Sequence, residues 1–371
     1  MIKTIGLKLK DYFTSVRFYT TFGTIIISIL IGFMIMVMVK PESAFRGIYS
    51  LLFSNFRSLQ YIGNVLFDAG PLILVGLGVG FAFKTGLFNI GASGQFMIGG
   101  LATLYAAHAL NLPPGIHFIV AMIIGMLFAA LYASIPGMLK AFFNVNEVIT
   151  SIMLNYIAAF SCYILIPMTG FYDVGITAIS TQFGSAAIPQ LGMNLIFPNS
   201  YIDIGIIIAI LVAVFLQFLL NKTTLGFELK AVGLSKEASK YAGIKIKQSI
   251  ITSMVISGAL IGMASALNYL PLNPDYFRYQ TLVDPIGFKG ISVALMGGSN
   301  PIGIIFSGIF ISFIEKGSLT MQLFGYNKEI ASIITSAIIY MIAISAFVGQ
   351  MIDQSIKNKK SQAKKLGDPN V

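Results

Sequence analysis

Ten long apolar stretches occupy most of the chain, and a bilayer-spanning helix needs about 20 mostly apolar residues. They run Phe22–Val39, Asn64–Phe83, Phe88–Leu110, Ile116–Leu139, Glu147–Pro167, Ile202–Leu220, Ile250–Leu270, Pro285–Ser299, Pro301–Lys316 and Glu329–Gln350. The third, eighth and ninth are Gly-rich or short, and re-entry suits them as well as crossing. A shorter stretch, Phe45–Phe56, holds Arg46 and is placed on the membrane surface. The expected fold is an all-α polytopic membrane protein with about ten transmembrane helices, a hint of an inverted repeat and one broken or re-entrant helix. Residues 1–21 form an N-terminal segment, 22–350 the membrane domain and 351–371 a basic tail. The first span has a long n-region and no small-x-small site beyond Lys40-Pro41, so an uncleaved signal anchor is expected.

Composition agrees. Hydrophobic residues make up 56% and charged residues 10% of the 371, where soluble chains carry about 25% charged residues. A cytosolic enzyme, a disordered chain and a secreted module are excluded. The lone Cys162 forbids an intramolecular disulfide, and with His108 and His117 it argues against a zinc site. The net charge of +10 bears on orientation and anionic lipid rather than on nucleic acid. With both termini in the cytoplasm, 17 of the 24 Lys and Arg fall inside, including Lys84, Lys140, six lysines of 222–247 and five of the tail. The outer loop 168–200 has none.

Ionisable groups inside spans default to functional hypotheses. Here Glu147 and Glu315 lie at span ends and Asp68 near one. No span carries a mid-membrane acid–base pair, which counts against an ion-coupled carrier. There is no His-Glu-x-x-His, and both His flank one short loop. The polar content is mostly neutral and helically spaced. Glu147, Ser151 and Asn155 share a face, as do Ser249, Ser253 and Ser257. These side chains read either as interhelical glue or as a pathway for a neutral solute. Asn89, Gln95, Glu147 and Asn155 are the costlier to bury. Asn144 to Glu147 also has the order of a capping-box variant.

Glycines cluster at 76–80 and 86–100, Gly258 and Gly262 form a GxxxG, and Gly297-Gly298 precede Asn300-Pro301. Close helix packing explains the GxxxG. The 86–100 stretch, with Asn89 and Gln95 among its glycines, suggests a broken helix lining a cavity. Gly86–Gly100 and Gly287–Gly303 are loosely alike, the hint of a repeat. In the inner loop 221–249, Ser235 is placed to cap a short helix from Lys236 to Tyr241 that stops at Gly243. That helix could hand motion to a partner, or the loop could be a solvated basic segment. No G-x-x-x-x-G-K-[ST] occurs.

Four stretches resemble one family. Gly226-Phe-Glu-Leu-Lys-Ala-Val-Gly233, continuing through Ala238, Ala242, Gly243 and Ile244, resembles the coupling loop of membrane permeases of ATP-binding-cassette importers. The branch is the one for branched-chain amino acids, simple sugars and nucleosides. Phe88-Asn-Ile-Gly-Ala-Ser-Gly-Gln95, the Asn146–Tyr156 stretch and Asp284–Gly303 are similar to further motifs of that family. Ser93 stands where the family usually has Glu, Lys289 where Thr is common and Ser235 where Asn is usual. The chain looks most like the longer nucleoside permease subunit.

The resemblance implies a permease of the bacterial cytoplasmic membrane with no catalytic residue, no metal and no cofactor of its own. ATP and Mg would sit on partner ATPase subunits. The other partners would be a second, similar permease, an extracellular solute-binding lipoprotein and membrane lipid. Purine nucleosides are the first substrate class. The substrate pathway is placed at Phe88, Asn89, Ser93, Gln95, Glu147, Ser151, Asn155 and Asn268. Coupling is placed at Gly226, Lys230, Gly233, Ser235, Lys236, Glu237, Ala238, Ala242 and Gly243. The rivals are the same machine importing a simple sugar, a secondary carrier for a small neutral solute, and a non-transport scaffold.

Overall fold

A computed structural model describes residues 16–175, 177–179, 184–272 and 275–341. In chain order its helices are α1 (Val16–Val39), α2 (Ala44–Phe53), α3 (Leu59–Lys84), α4 (Ala92–Ala109), α5 (Ile116–Phe143), α6 (Glu147–Leu165) and α7 (Met193–Ile196). There follow α8 (Gly205–Lys222), α9 (Thr224–Leu234), α10 (Lys236–Tyr241), α11 (Ile246–Tyr269), α12 (Ile286–Met296), α13 (Pro301–Met321) and a helix over 328–341, α14. Six of these, α3, α5, α6, α8, α11 and α13, are long and apolar enough to cross a membrane. The chain is therefore a mostly helical, multi-pass membrane protein.

Two expectations about spans change. The eighth stretch, Pro285–Ser299, yields only the 11 residues of α12, which reach about 16 Å at 1.5 Å per residue. That is roughly half of a bilayer core, so α12 is no crossing by itself. The third stretch is helical from Ala92, not Phe88; the break falls at 85–91, and the helix then runs unbroken through Gly94, Gly99 and Gly100. The tenth stretch is helical as far as 341; its remainder, residues 1–15 and the tail 351–371 lie outside the described residues.

The described chain forms two compact units, residues 16–54 with 314–341, and residues 55–313. In the first, Tyr326 is buried and its hydroxyl donates to the carbonyls of Lys40 (3.1 Å) and Met36 (3.3 Å). Helix α2 buries Ala44, Gly47, Ser50 and Leu51 and exposes Phe45, Tyr49 and Phe53. That two-sided character suits the interfacial position expected for 45–56.

In the second unit α3 is the central helix, buried along most of its length. Its glycines explain how neighbours reach it. A methyl on Gly78 would press on Ile261 and the Ser257 carbonyl of α11, while methyls on Gly76 and Gly80 would meet Val293 and Ile304 of α12 and α13. The GxxxG of α11 packs on α5: a methyl on Gly258 would lie 2.6 Å from the Ala129 carbonyl oxygen, and one on Gly262 2.6 Å from that of Gly125. The packing reading of these glycines is borne out.

The loop after α6 is not purely irregular. Strands β1 (Tyr172–Asp173) and β2 (Ala178–Ile179) pair antiparallel, a small exception to the all-α expectation. The Ile179 N–H donates to the Phe277 carbonyl (3.1 Å) and the Tyr279 N–H to that of Thr177 (2.9 Å). Tyr163 and Tyr279 stack at 4.3 Å. His117 meets Ser185 Oγ at 2.8 Å, and His108 stacks on Phe171 at 4.2 Å.

Helix α8 begins at Gly205 rather than Ile202 because Asp203 Oδ1 accepts the Gly205 N–H at 2.7 Å. Asp203 therefore lies outside the span. It is 4% exposed, Oδ2 has no hydrogen-bond partner among the described residues, and burial pushes its carboxyl up to about 7. A raised carboxylate pKa favours the protonated fold. The stabilisation is complete below the unfolded value near 4 and is lost as pH rises toward 7, up to about 4 kcal/mol in all. Asp203→Asn is expected to flatten the pH dependence of the melting temperature across that window and to raise it at pH 8. A thermal-shift series in detergent checks this; an unchanged pH profile would contradict it.

Candidate functional site

The chain leaves α3 at Lys84 through a Schellman turn. Gly86 takes φ +73°, its N–H donates to the Phe83 carbonyl (3.0 Å), and the Leu87 N–H donates to that of Ala82 (3.1 Å). Only a glycine adopts this left-handed conformation at no steric cost. Residues 87–89 then have no regular secondary structure, and their burial alternates: Leu87 and Asn89 are buried, and Phe88 is 38% exposed. Non-helical backbone at membrane depth must find its partners in protein or in a water-filled cavity. Here the N–H groups of Thr85, Gly86, Leu87 and Ile90 bond nearby backbone carbonyls and Asn155 of α6 bonds the Ile90 carbonyl, while side chains of α4 and α11 bond the segment's own side chains.

Thr85 Oγ1 donates to Ser253 Oγ at 2.8 Å. Leu87 joins Ala82, Ile250 and Met254 in an apolar cluster. The amides of Asn89 and Gln95 pair reciprocally, at 3.0 Å each way. Asn89 Nδ2 also donates to Ser257 Oγ (2.8 Å), which in turn donates to the Gly78 carbonyl (2.7 Å). Asn155 Nδ2 donates to the Ile90 carbonyl (3.0 Å), and its Oδ1 accepts the Gly94 N–H (2.8 Å). The serine stripe of α11 is thus a track on which 85–89 sits. Ser249 stands apart, donating within its own helix to Lys245.

Of the sequence-derived pathway residues, Asn89, Gln95 and Asn155 come together in this one network. Ser151 lies against Gly91 and Ser93 against Gly287. Both hydroxyls are buried, with no hydrogen-bond partner among the described residues. Phe88 is turned outward and stacks on Phe83 at 5.0 Å. Asn268 is 11 residues beyond Ser257 on α11, about 16 Å along the axis, and does not join them. Glu147 pairs with Lys140 at 2.9 Å. The capping-box reading is corrected. Asn144, at φ 52°, ends α5, and Asn146 caps α6 by accepting the Val148 N–H at 2.9 Å. The Ile90 and Gly78 carbonyls, which complete the network, carry no signal in the sequence.

The loop 221–249 is a helical hairpin. Helix α10 has the expected bounds, with Ser235 Oγ accepting the Ala238 N–H (3.2 Å) and Gly243 at φ +78° closing it. Helix α9 is new. Thr223 caps it, accepting the Gly226 N–H at 3.1 Å and donating to the Leu219 carbonyl at 2.6 Å. Two glycines seat α9 on other backbone. A methyl on Gly226 would overlap Leu219 and Leu220, and one on Gly233 would overlap the Lys84 carbonyl oxygen. Lys230 Nζ donates to Asn221 Oδ1 at 3.3 Å. The outward side carries Phe227, Leu234 and Tyr241, exposed by 67%, 89% and 92%. Lys236, Glu237, Ala238, Ala242 and Gly243 are exposed beside them.

A multi-pass membrane domain with buried neutral polar contacts and an exposed basic hairpin is what this geometry defines. Residues 61–343 match the family described as branched-chain amino acid transport system / permease component. The chain is 36% identical over 352 residues to the nucleoside ABC transporter permease protein NupB of Lactococcus lactis, covering 92% of this chain and 96% of that one. It is 36% identical over 338 residues to the guanosine ABC transporter permease protein NupP of Bacillus subtilis, with coverage of 90% and 95%. With the glucose ABC transporter permease protein TsgB13 of Haloferax volcanii it shares 30% over 314 residues, 81% and 80% of the two chains. No solved structure matches significantly. The chain belongs to this family of transport-system permease components.

Proposed function

We propose that the chain is the nucleoside-translocating permease subunit of an ATP-driven importer, with purine nucleosides first among its cargoes. The observation that carries this reading is the 36% identity, across nearly the full length of both partners, to permeases named for nucleosides and for guanosine. A simple sugar is the second reading, favoured by the similarity to TsgB13.

The working complex would add a second permease, cytoplasmic ATPases that bind ATP and Mg, and an extracellular solute-binding lipoprotein. Ten crossings, an inverted repeat and cytoplasmic termini belong to the same proposal. Orientation is supported by the way basic residues gather at one end: Gly233 lies against Lys84, Lys140 pairs with Glu147, and Lys247 lies over the Phe142 ring at 5.1 Å. The exposed hydrophobic and basic side of the hairpin 221–249 suits the ATPase contact. Solute would pass beside Phe88 and the Asn89, Ser93, Gln95, Ser151 and Asn155 group, with Glu147 toward the inner end and Asn268 toward the outer. Neutral amides and hydroxyls offer a nucleoside hydrogen bonds without the cost of an intramembrane charge.

The test is to purify the tagged chain from its host in mild detergent. The ATPase subunit is expected to co-purify, and nucleoside with the binding protein is expected to raise ATP hydrolysis. A chain that purifies without any ATPase would contradict the proposal.

A further inference from the structure

We infer that residues 85–91 are the moving gate element of this chain, and that the backbone contact at Gly233 is what drives them. The inference rests on the permease reading above and names the part of the site that responds to coupling. Its first support is how the segment is held. A helix carries its own hydrogen-bond ladder, whereas 85–91, beyond the turn bonds of 85–87 and the Ile90 N–H to the Phe88 carbonyl, is held to its neighbours by separate side-chain bonds. Thr85 bonds Ser253, Asn89 bonds Ser257, and Ile90 is held by Asn155. Ser253 and Ser257 are one turn apart on α11, and Thr85 and Asn89 are likewise four residues apart. Two of these fastenings lie along one line on α11, while Asn89 also pairs with Gln95 of α4 and Ile90 is held by Asn155 of α6, so displacing the segment breaks bonds to three helices at once.

The second support is a direct backbone contact between the hairpin and this segment. Gly233 meets the Lys84 and Thr85 backbone directly, and a methyl on Gly86 would lie 3.4 Å from Gly233 Cα and O. Close-packed backbone transmits displacement, where long side chains would absorb it by changing rotamer. The contact falls on the turn at Gly86, where α3 ends and the irregular segment begins. A shift of α9 therefore acts at the hinge. Leu87 and Asn89 would then leave α11 together, the Asn89–Gln95 amide pair would open, and Phe88 would change its exposure.

The test places a thiol at Phe88→Cys in the assembled complex and follows its maleimide labelling with and without ATP and vanadate. The native Cys162 is buried and leaves little background. The expected result is a several-fold change in labelling rate on trapping, abolished by Gly233→Ala in complexes that retain their ATPase. Ser257→Ala should act differently. Loss of about 1 kcal/mol raises the open fraction roughly fivefold at rest, with the ATP response kept. Thr85→Val, which removes the bond to Ser253, should show the same resting increase. Should Gly233→Ala fail to assemble, amide hydrogen exchange of 84–90 and 224–234 in the wild-type complex replaces it: both segments are expected to change together on trapping, and a change in one without the other overturns the drive at Gly233. The inference is overturned if trapping leaves the rate unchanged, if Gly233→Ala keeps the full response, or if Ser257→Ala and Thr85→Val both label at the parent rate. A wild-type complex that imports no nucleoside would overturn the permease reading instead, so the two failures are distinct.

Discussion

A Gly233→Pro chain is expected to reach the membrane at the parent level and to import nothing above background. Gly233 is the penultimate residue of α9. Proline there removes the N–H that would bond one turn back and sets its ring against the carbonyl of Leu229, a local cost of about 3 kcal/mol. It also brings a Cβ onto the Lys84 carbonyl oxygen. Neither effect touches the packing of α3 on α11 or of α11 on α5, which holds the second unit together. Insertion and coupling should therefore separate. Quantitative blotting of membranes beside uptake of labelled nucleoside checks the split. Normal uptake by this variant would remove Gly233 from the coupling path.

The opposite split is expected for Gly262→Leu. Its first added carbon would lie 2.6 Å from the Gly125 carbonyl oxygen and 2.8 Å from Met126 Cα. Both are backbone atoms that cannot rotate away, so α5 and α11 must part. Overpacking costs about 1–3 kcal/mol where a site can adjust, and this site has little slack. In lipid there is no hydrophobic gain to hold separated helices together, since their association depends on packing itself. The melting temperature in detergent should fall by about 5 °C or more, and the yield of assembled complex should fall with it. An unchanged melting temperature would show that this close approach does not hold the pair.

Much of this arrangement was legible in the sequence, and the exceptions have physical causes. Bilayer thickness leaves a strong signature, so the six long helices were found within a few residues of their observed ends. Ser235 and Gly243 bracket α10 because capping chemistry is local. Helix α9 was missed because Gly226 and Gly233 read as loop residues, while their actual role is to let backbones touch. The stripe of Ser253 and Ser257 was visible, but periodicity shows that residues share a face and not what the face meets. Its partners, Thr85 and Asn89, are 168 residues away in sequence. The cap of α6 falls at Asn146 and not at Asn144 because either can cap a helix end, and only the αL backbone at Asn144 decides between them. The candidate pathway amides were correctly singled out as costly to bury, and the structure answers that cost with protein partners.

Import itself is the central claim, and uptake measures it most directly. In a host with no other nucleoside uptake, labelled purine and pyrimidine nucleosides, ribose, galactose and leucine would be supplied to cells lacking this chain and to the complemented strain. The account predicts loss confined to the nucleosides and full recovery on complementation. Nucleoside uptake that persists without the chain, or a loss confined to a sugar or to leucine, would contradict it.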